Sequence, residues 1–218
     1  MQNRYERHRD IFDAQGVSLA IVGVGAVGRQ AAIQAAAIGC GSIQLIDFDI
    51  VGDENLAAQG YKEFDLGLPK VEAMERELRA INSQIKIECI NDQYEAGQIT
   101  ADVVFACVDT MPCRTALFTN EAPRCGLFVD ARMSAELCRI LTVTRAHSAS
   151  MDRYKQTLFT QEEMHADRCT SKSTIYCASI TGALMISELT KYLRGLDGPT
   201  DYTFYIPVVE IVKQRVKV

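Results

Sequence analysis

Apolar residues recur along this chain in two rhythms: short unbroken runs, and stripes at spacings of three and four. The runs LAIV (Leu19–Val22), IQLI (Ile43–Ile46), VVFACV (Val103–Val108) and Leu127–Asp130 predict strands buried on both faces, as a parallel sheet requires. Ile85–Ile90 alternates apolar with polar residues and reads as a further strand. Leu137–Thr144 reads as another, antiparallel after an Arg132–Glu136 connection. The stripes predict helices. Pro69–Asn82 carries Val71, Met74, Leu78 and Ile81 on one face, and Arg29–Ile38 is rich in alanine. Pro112–Arg124 opens with a proline suited to a first turn. Ile175–Arg194 sets Ile180, Leu184, Leu189 and Leu193 on one side, with Gly195 placed to end it. Shorter helical pieces are expected in the arm Met1–Ala14, at Glu54–Gln59 inside the loop Val51–Pro69, at Tyr94–Thr100 and at Gln161–Ala166. Tyr202–Val218 reads as two strands joined near Val212–Gln214, or as one long edge ribbon. The alternation predicts an α/β fold: three layers around a Rossmann-like, mostly parallel sheet with a C-terminal antiparallel extension. A single domain over residues 1–218 is expected, with a helical arm 1–14 and an irregular segment 147–174 of a length that is usually functional.

The first strand runs into Gly23-x-Gly25-x-x-Gly28, a helix follows, and the second strand ends in Asp47-Phe48-Asp49. In this context the three glycines serve distinct physical ends: a sharp turn, room for a phosphate against the backbone, and close helix–strand packing. The helix N-terminus offers free N–H groups and the positive end of its dipole to that phosphate. A carboxylate at Asp47, 24 residues after Gly23, suits ribose hydroxyls, and Asp49, two residues on, shares its strand face. The alternative is a glycine turn needed for packing alone.

Composition narrows the setting. The chain has 218 residues, 48% of them hydrophobic, and a net charge of −5, which gives no support for a nucleic-acid or membrane-surface partner. The charged start MQNRYERHRD lacks the apolar stretch of a signal peptide, and Ile175–Ser187 is too short to span a bilayer. Of eight cysteines, Cys40, Cys89, Cys107, Cys125 and Cys138 sit in or beside apolar runs and read as buried free thiols of a reducing compartment, the cytoplasm. No CxxC pair occurs, so a four-cysteine zinc site has no basis.

Several charges fall where strands end: Asp47, Asp49, Lys70, Asp109 and Arg114. Lys70 opens a helix, an unfavourable place for a cation unless an anion is bound there; otherwise it is a solvated lysine. Asp109, after a buried strand, suits a magnesium ion or the cap of the next helix. Cys169, beside Arg168 and near Lys172, has neighbours that favour a thiolate, the bland reading being an incidental loop thiol; Cys177 is a second candidate thiol or simply core.

Taken in order, GxGxxG, GCGSIQLIDFD, Asn55-Leu56-x-x-Gln59, Leu66-Gly67-x-x-Lys70 and Asp109-x-x-x-x-Arg114 resemble the ThiF/MoeB/HesA family. These are E1-like enzymes that adenylate the C-terminus of ubiquitin-like proteins and sulfur carriers. The motifs cover about residues 4–114, with a looser likeness over Ile175–Arg194. The resemblance implies ATP over the Gly23–Gly28 turn with Asp47 on the ribose. Asn55, Gln59 and Lys70 would help hold the nucleotide, and Asp109 a magnesium ion near the α-phosphate. It implies a small ubiquitin-like or sulfur-carrier protein, or a peptide C-terminus, as substrate, and a homodimer or an E1-like heterodimer. Arg4-Tyr5-Glu6-Arg7-His8 matches the family's RYxRQ segment except at its last residue, so Arg7 would act on the neighbouring subunit's ATP. Cys169 lies close to where family members carry a thioester or persulfide cysteine.

The chain departs from the pattern at one phosphate contact. The family's NLxRQ loop carries an arginine where this chain has Ala58. Loss of one such clamp costs about 3–4 kcal/mol by analogy with an oxyanion donor. Arg132, Lys62 or a partner residue are the possible substitutes. Two other readings remain open: a catalytically impaired E1-like subunit serving as the binding half of a dimer, and an NAD-dependent oxidoreductase, which the glycine turn alone permits.

Overall fold

The computed structural model describes residues 4–145, 148–159, 172–196 and 201–213. An eight-stranded mixed sheet in the order β3-β2-β1-β4-β5-β6-β7-β8 forms its centre. β1 (Ser18–Val22), β2 (Ser42–Ile46), β3 (Lys86–Ile90), β4 (Val103–Ala106) and β5 (Leu127–Ser134) are parallel neighbours. β6 (Leu137–Thr144), β7 (Asp201–Tyr205) and β8 (Glu210–Lys213) continue the sheet antiparallel from β5. The chain winds outward from β1 through β2 to β3, then returns to place β4 on β1's other side. The crevice at that reversal, beyond the strands' carboxyl ends, is where open α/β sheets take ligands.

Helices cover both faces. α1 (Ala26–Ile38), α3 (Lys70–Ile81) and α6 (Ile175–Leu193) lie on one face, around a core that includes Leu19, Ile21, Leu45, Phe105, Leu78 and Met185. α4 (Met111–Glu121) and α5 (Ser148–Lys155) cover the other, where Phe118, Phe128 and Tyr154 pack ring against ring. α2 (Glu54–Gln59) lies inside the long loop between β2 and α3, as its composition predicts. The fold class is thus the expected one.

Details differ for identifiable reasons. In α6 the buried face is Ala178, Thr181, Gly182, Met185 and Leu189, whereas Ile180, Leu184 and Leu193 are half-buried. Small residues set this helix close to the alanine-rich α1: a Cβ on Gly182 would lie 2.9 Å from the Ala31 nitrogen. Volume, more than hydrophobicity, fixes the contact. Residues 94–100 form no helix; Gly97 takes a left-handed φ of 93°, and the Gln98 side chain accepts the Glu95 N–H at 2.8 Å in a turn. β5 runs on through Arg132 and Ser134, so the connection to β6 shrinks to Ala135 and Glu136. The final hairpin turns at Ile206–Val209, not near Val212. α5 occupies part of the segment read as irregular, while Gln161–Ala166 lies outside the described residues. The N-terminal arm is a series of hydrogen-bonded turns, not a helix. It is held by Tyr5, whose ring lies against Gly39 and whose hydroxyl accepts from Asn82 at 3.3 Å. Gly39 and Asn82 end α1 and α3, so the arm sits at the opposite pole from the crevice.

Candidate nucleotide-binding site

A cleft of about 1400 Å³ opens above the carboxyl ends of β1, β2 and β4 and extends along β5 and β6. Gly23 makes its floor with φ at 84°, and a Cβ there would fall 2.5 Å from the Cys107 carbonyl oxygen on β4's exit. A Cβ on Gly28 would overlap the Gly23 carbonyl oxygen. Both glycines are therefore demanded by backbone packing. Gly25 is not: its Cβ would meet only the Gln59 side chain, at 3.7 Å, an ordinary contact. Gly25 is the residue that caps α1, and both it and Gln59 line the cleft. The Gln59 Oε1 beside it is buried without a hydrogen-bond partner among the described residues, an acceptor left for a donor from outside.

Asp47 is nearly buried and accepts the Val24 N–H at 2.7 Å and the Asp49 N–H at 2.9 Å. Burial pushes its carboxyl above the usual range, against those two donors and Lys70. Asp49 is half-exposed and pairs with the Lys70 ammonium at 2.7 Å. Lys70 is no solvated lysine: it is 4% exposed, and its backbone N–H bonds the Asp49 carbonyl at 2.9 Å. The strand end and the start of α3 thus aim one buried cation at the crevice. Asp109 is exposed in the cleft and makes no hydrogen bond or ion pair among the described residues. Thr110, not Asp109, occupies the N-cap of α4.

The structure does not gather every expected residue. Asn55 is buried, accepts the Gly52 N–H at 2.8 Å and does not line the cleft. Arg7 is exposed on the arm at the far pole. Cys169 lies outside the described residues. Cys177 is buried against Cys138; the hydrogen bond to Cys138 and burial both push its thiol up, which marks it as core. Of the five thiols expected to be buried, Cys40, Cys125 and Cys138 are, while Cys89 and Cys107 are partly exposed. Ala58 is half-buried on α2 and puts nothing into the cleft. Lys62 turns to Glu77 at 3.4 Å and to the Phe64 ring, away from it.

The cleft has a second end with a different construction. Asp130, fully buried on β5, binds Arg114 of α4, Arg132 at 2.8 Å and the Tyr154 hydroxyl at 2.9 Å. Arg114 also donates to the Val108 and Ala131 carbonyl oxygens, tying the Asp109 loop to β5. Burial lowers its pKa to about 10. Arg132 continues to the Thr157 carbonyl and hydroxyl, each at 2.8 Å. Arg139 stands directly opposite Arg132 on β6 and is held by Asp201 through two bonds of 2.8 and 2.9 Å. Asp130 and Arg132 sit two apart, so the sequence places both on one strand face. Arg139 and Asp201, 62 residues apart, left no such signal.

The ThiF family model matches residues 8–216. The chain belongs to the ThiF family. Among curated relatives, molybdopterin-synthase adenylyltransferase of Haemophilus influenzae is 37% identical over 116 residues, covering 49% of this chain and 48% of that protein. Ubiquitin-like modifier-activating enzyme 5 of Drosophila persimilis is 27% identical, covering 92% of this chain and 57% of the relative. The chain spans about half the length of the curated relatives it matches. Among solved structures, Escherichia coli MccB with ATP aligns with a TM-score of 0.76 over 99% of this chain and 72% of that one, at 18% identity, a likeness of fold. No helix among the described residues of this ThiF-family chain is long and apolar enough to cross a membrane.

Proposed function

We propose that this chain is an E1-like adenylyltransferase that uses ATP and magnesium to activate the C-terminal carboxylate of a small ubiquitin-like or sulfur-carrier protein, or of a peptide. The observation that carries the reading is Gly25: packing makes no demand for glycine there, yet the position faces the cleft beside an orphaned Gln59 acceptor. A phosphate against the α1 N-terminus would fill the space at Gly25, and a hydroxyl or amino group of the nucleoside would supply the donor that the Gln59 oxygen lacks. Lys70, buried and partnered on one side only by Asp49, faces the same crevice and neutralises phosphate charge. Asp47, which accepts the Val24 and Asp49 N–H groups and so fixes the glycine turn, would hold the ribose.

The residues present fit a magnesium ion of the nucleotide-borne kind. Asp109, exposed in the cleft, offers one uncommitted carboxylate that would hold the ion together with the phosphates. When bound, the ion spreads the negative charge of the phosphates. The substrate carboxylate oxygen attacks the α-phosphorus, the bond to the bridging oxygen breaks, and pyrophosphate leaves with that electron pair. The chain's own part is positioning and charge neutralisation. Arg7, at the far pole of its own subunit, would serve a second subunit of a homodimer or heterodimer.

Relatives named as adenylyltransferase and as ubiquitin-like modifier-activating enzyme support this reading. Ala58 supports the second one, an impaired E1-like subunit within a dimer, because α2 sends no cation into the cleft. ATP–pyrophosphate exchange dependent on a carrier ending in Gly-Gly separates them. Absence of both exchange and ATP binding sinks the first. Thermal stabilisation by NAD in place of ATP–magnesium would restore the oxidoreductase reading.

A further inference from the structure

The two ends of the cleft carry opposite charge. Around the glycine turn Asp47, Asp49, Asp92 and Asp109 outnumber Lys70. Along β5 and β6 the lining charges are Arg132, Arg139 and Lys172. Arg132 shares its single carboxylate, Asp130, with Arg114, so that cluster keeps a positive charge. Arg139 spends Nε and Nη2 on Asp201 and leaves Nη1 without a partner among the described residues. The Lys172 side chain is exposed and equally uncommitted; its backbone carbonyl accepts the Ala135 N–H at 2.8 Å, which staples it to the β5–β6 turn. Leu137 and Phe159, 37% and 42% exposed, line the cleft together with these cations. Cations interleaved with exposed apolar side chains match a polypeptide better than a bare phosphate.

We infer that this basic end recognises the tail of the polypeptide substrate, and that the tail carries an acidic side chain about three residues before its C-terminal carboxylate. The inference rests on the adenylation reading for the direction of the tail. The carboxylate must reach the Asp109 end of β4, and Arg139 lies two strands away, about 10 Å at the ordinary strand spacing. An extended chain covers that span in about three residues at roughly 3.3 Å each. A carboxylate there meets the free Arg139 donors and Lys172 in charge-assisted hydrogen bonds. The same cations offset the repulsion between an anionic tail and the nucleotide.

The test is fluorescence anisotropy on the full chain with a non-hydrolysable ATP analogue present. The probes are fluorescein-labelled peptides with free C-terminal carboxylates, carrying Asp or Asn at the third residue from the end, or Asp at the seventh. The expected result is about tenfold tighter binding of the first peptide than of either other, a preference that fades with salt. Lys172→Glu should invert the Asp-over-Asn preference, and Arg139→Gln should weaken the Asp peptide about tenfold. Arg139→Gln strips Asp201 of its partner, so the exposed Lys172→Glu, with an unchanged melting temperature, is the decisive variant. Equal binding of all three peptides, no binding of any, or a preference untouched by Lys172→Glu overturns the inference. Selective binding without pyrophosphate exchange leaves the tail recognition standing and favours the impaired E1-like subunit over the active adenylyltransferase.

Discussion

The glycine-turn end of the cleft and its β5–β6 end lie above the same sheet but are built by different means. The first is built from backbone: two glycines packed without room for a Cβ, a helix N-terminus, and a carboxylate spent on N–H groups. The second is built from side chains, with Asp130 joining residues from β5, α4 and α5. Backbone geometry can be satisfied by a short sequence at fixed spacing. A side-chain hub has to be assembled from distant segments, so its failure should spread further.

Substitutions at each end can break that contrast. The largest effect is expected from Asp130→Ala, which leaves the Arg114 and Arg132 guanidiniums without their buried carboxylate; unfolding in urea should show a loss of about 3–5 kcal/mol. A loss under about 1 kcal/mol would mean that the hub is not a unit. Next is Gly28→Ala, where overlap with the Gly23 carbonyl oxygen should cost about 3 kcal/mol or more. Gly25→Ala sharpens the comparison, since its Cβ meets ordinary contacts. That variant should melt with the parent yet lose the stabilisation by ATP–magnesium, about 2.7 kcal/mol at a hundred times Kd. If it melts low, Gly25 serves packing after all.

The smallest effect concerns thiols. Burial raises Cys40, Cys107 and Cys125 to about 12, so at pH 8 each is thiolate in about one molecule in ten thousand. Native alkylation followed by mass spectrometry should leave all three unmodified at pH 8, with reaction rising about tenfold per pH unit up to about 12. Cys107 is the informative case, because it lines the cleft beside Gly23. Labelling of Cys107 at the rate of an ordinary exposed thiol would show that burial does not protect it.

The same contrast explains what the sequence made legible. The strands of the parallel half, the glycine turn and the place of Asp47 at the end of the second strand follow from local runs and spacings, because each is settled over a short stretch of chain. Lys70 was visible as an oddity of the helix dipole; its burial against Asp49 depends on how the β2–α3 loop folds back through the Ile50–Pro69 bridge. Asn55, matched by motif, spends its side chain on Gly52, which spacing alone does not reveal. The stripe on α6 misled because contact with α1 selects small residues that a hydrophobic count ranks low. Arg139 had no local signal, since its partner Asp201 arrives only when β7 pairs with β6.

The arm anchored by Tyr5 carries a kinetic signature. An arginine tethered at the wrong pole of its own molecule can serve a cleft only in another molecule. A reaction that needed Arg7 would therefore lose its proportionality to protein at high dilution, becoming second order where dimers dissociate, while Arg7→Ala stays first order and slow. The order of the rate in protein then reads out, without any structure, whether the proposed reaction draws on one chain or on two.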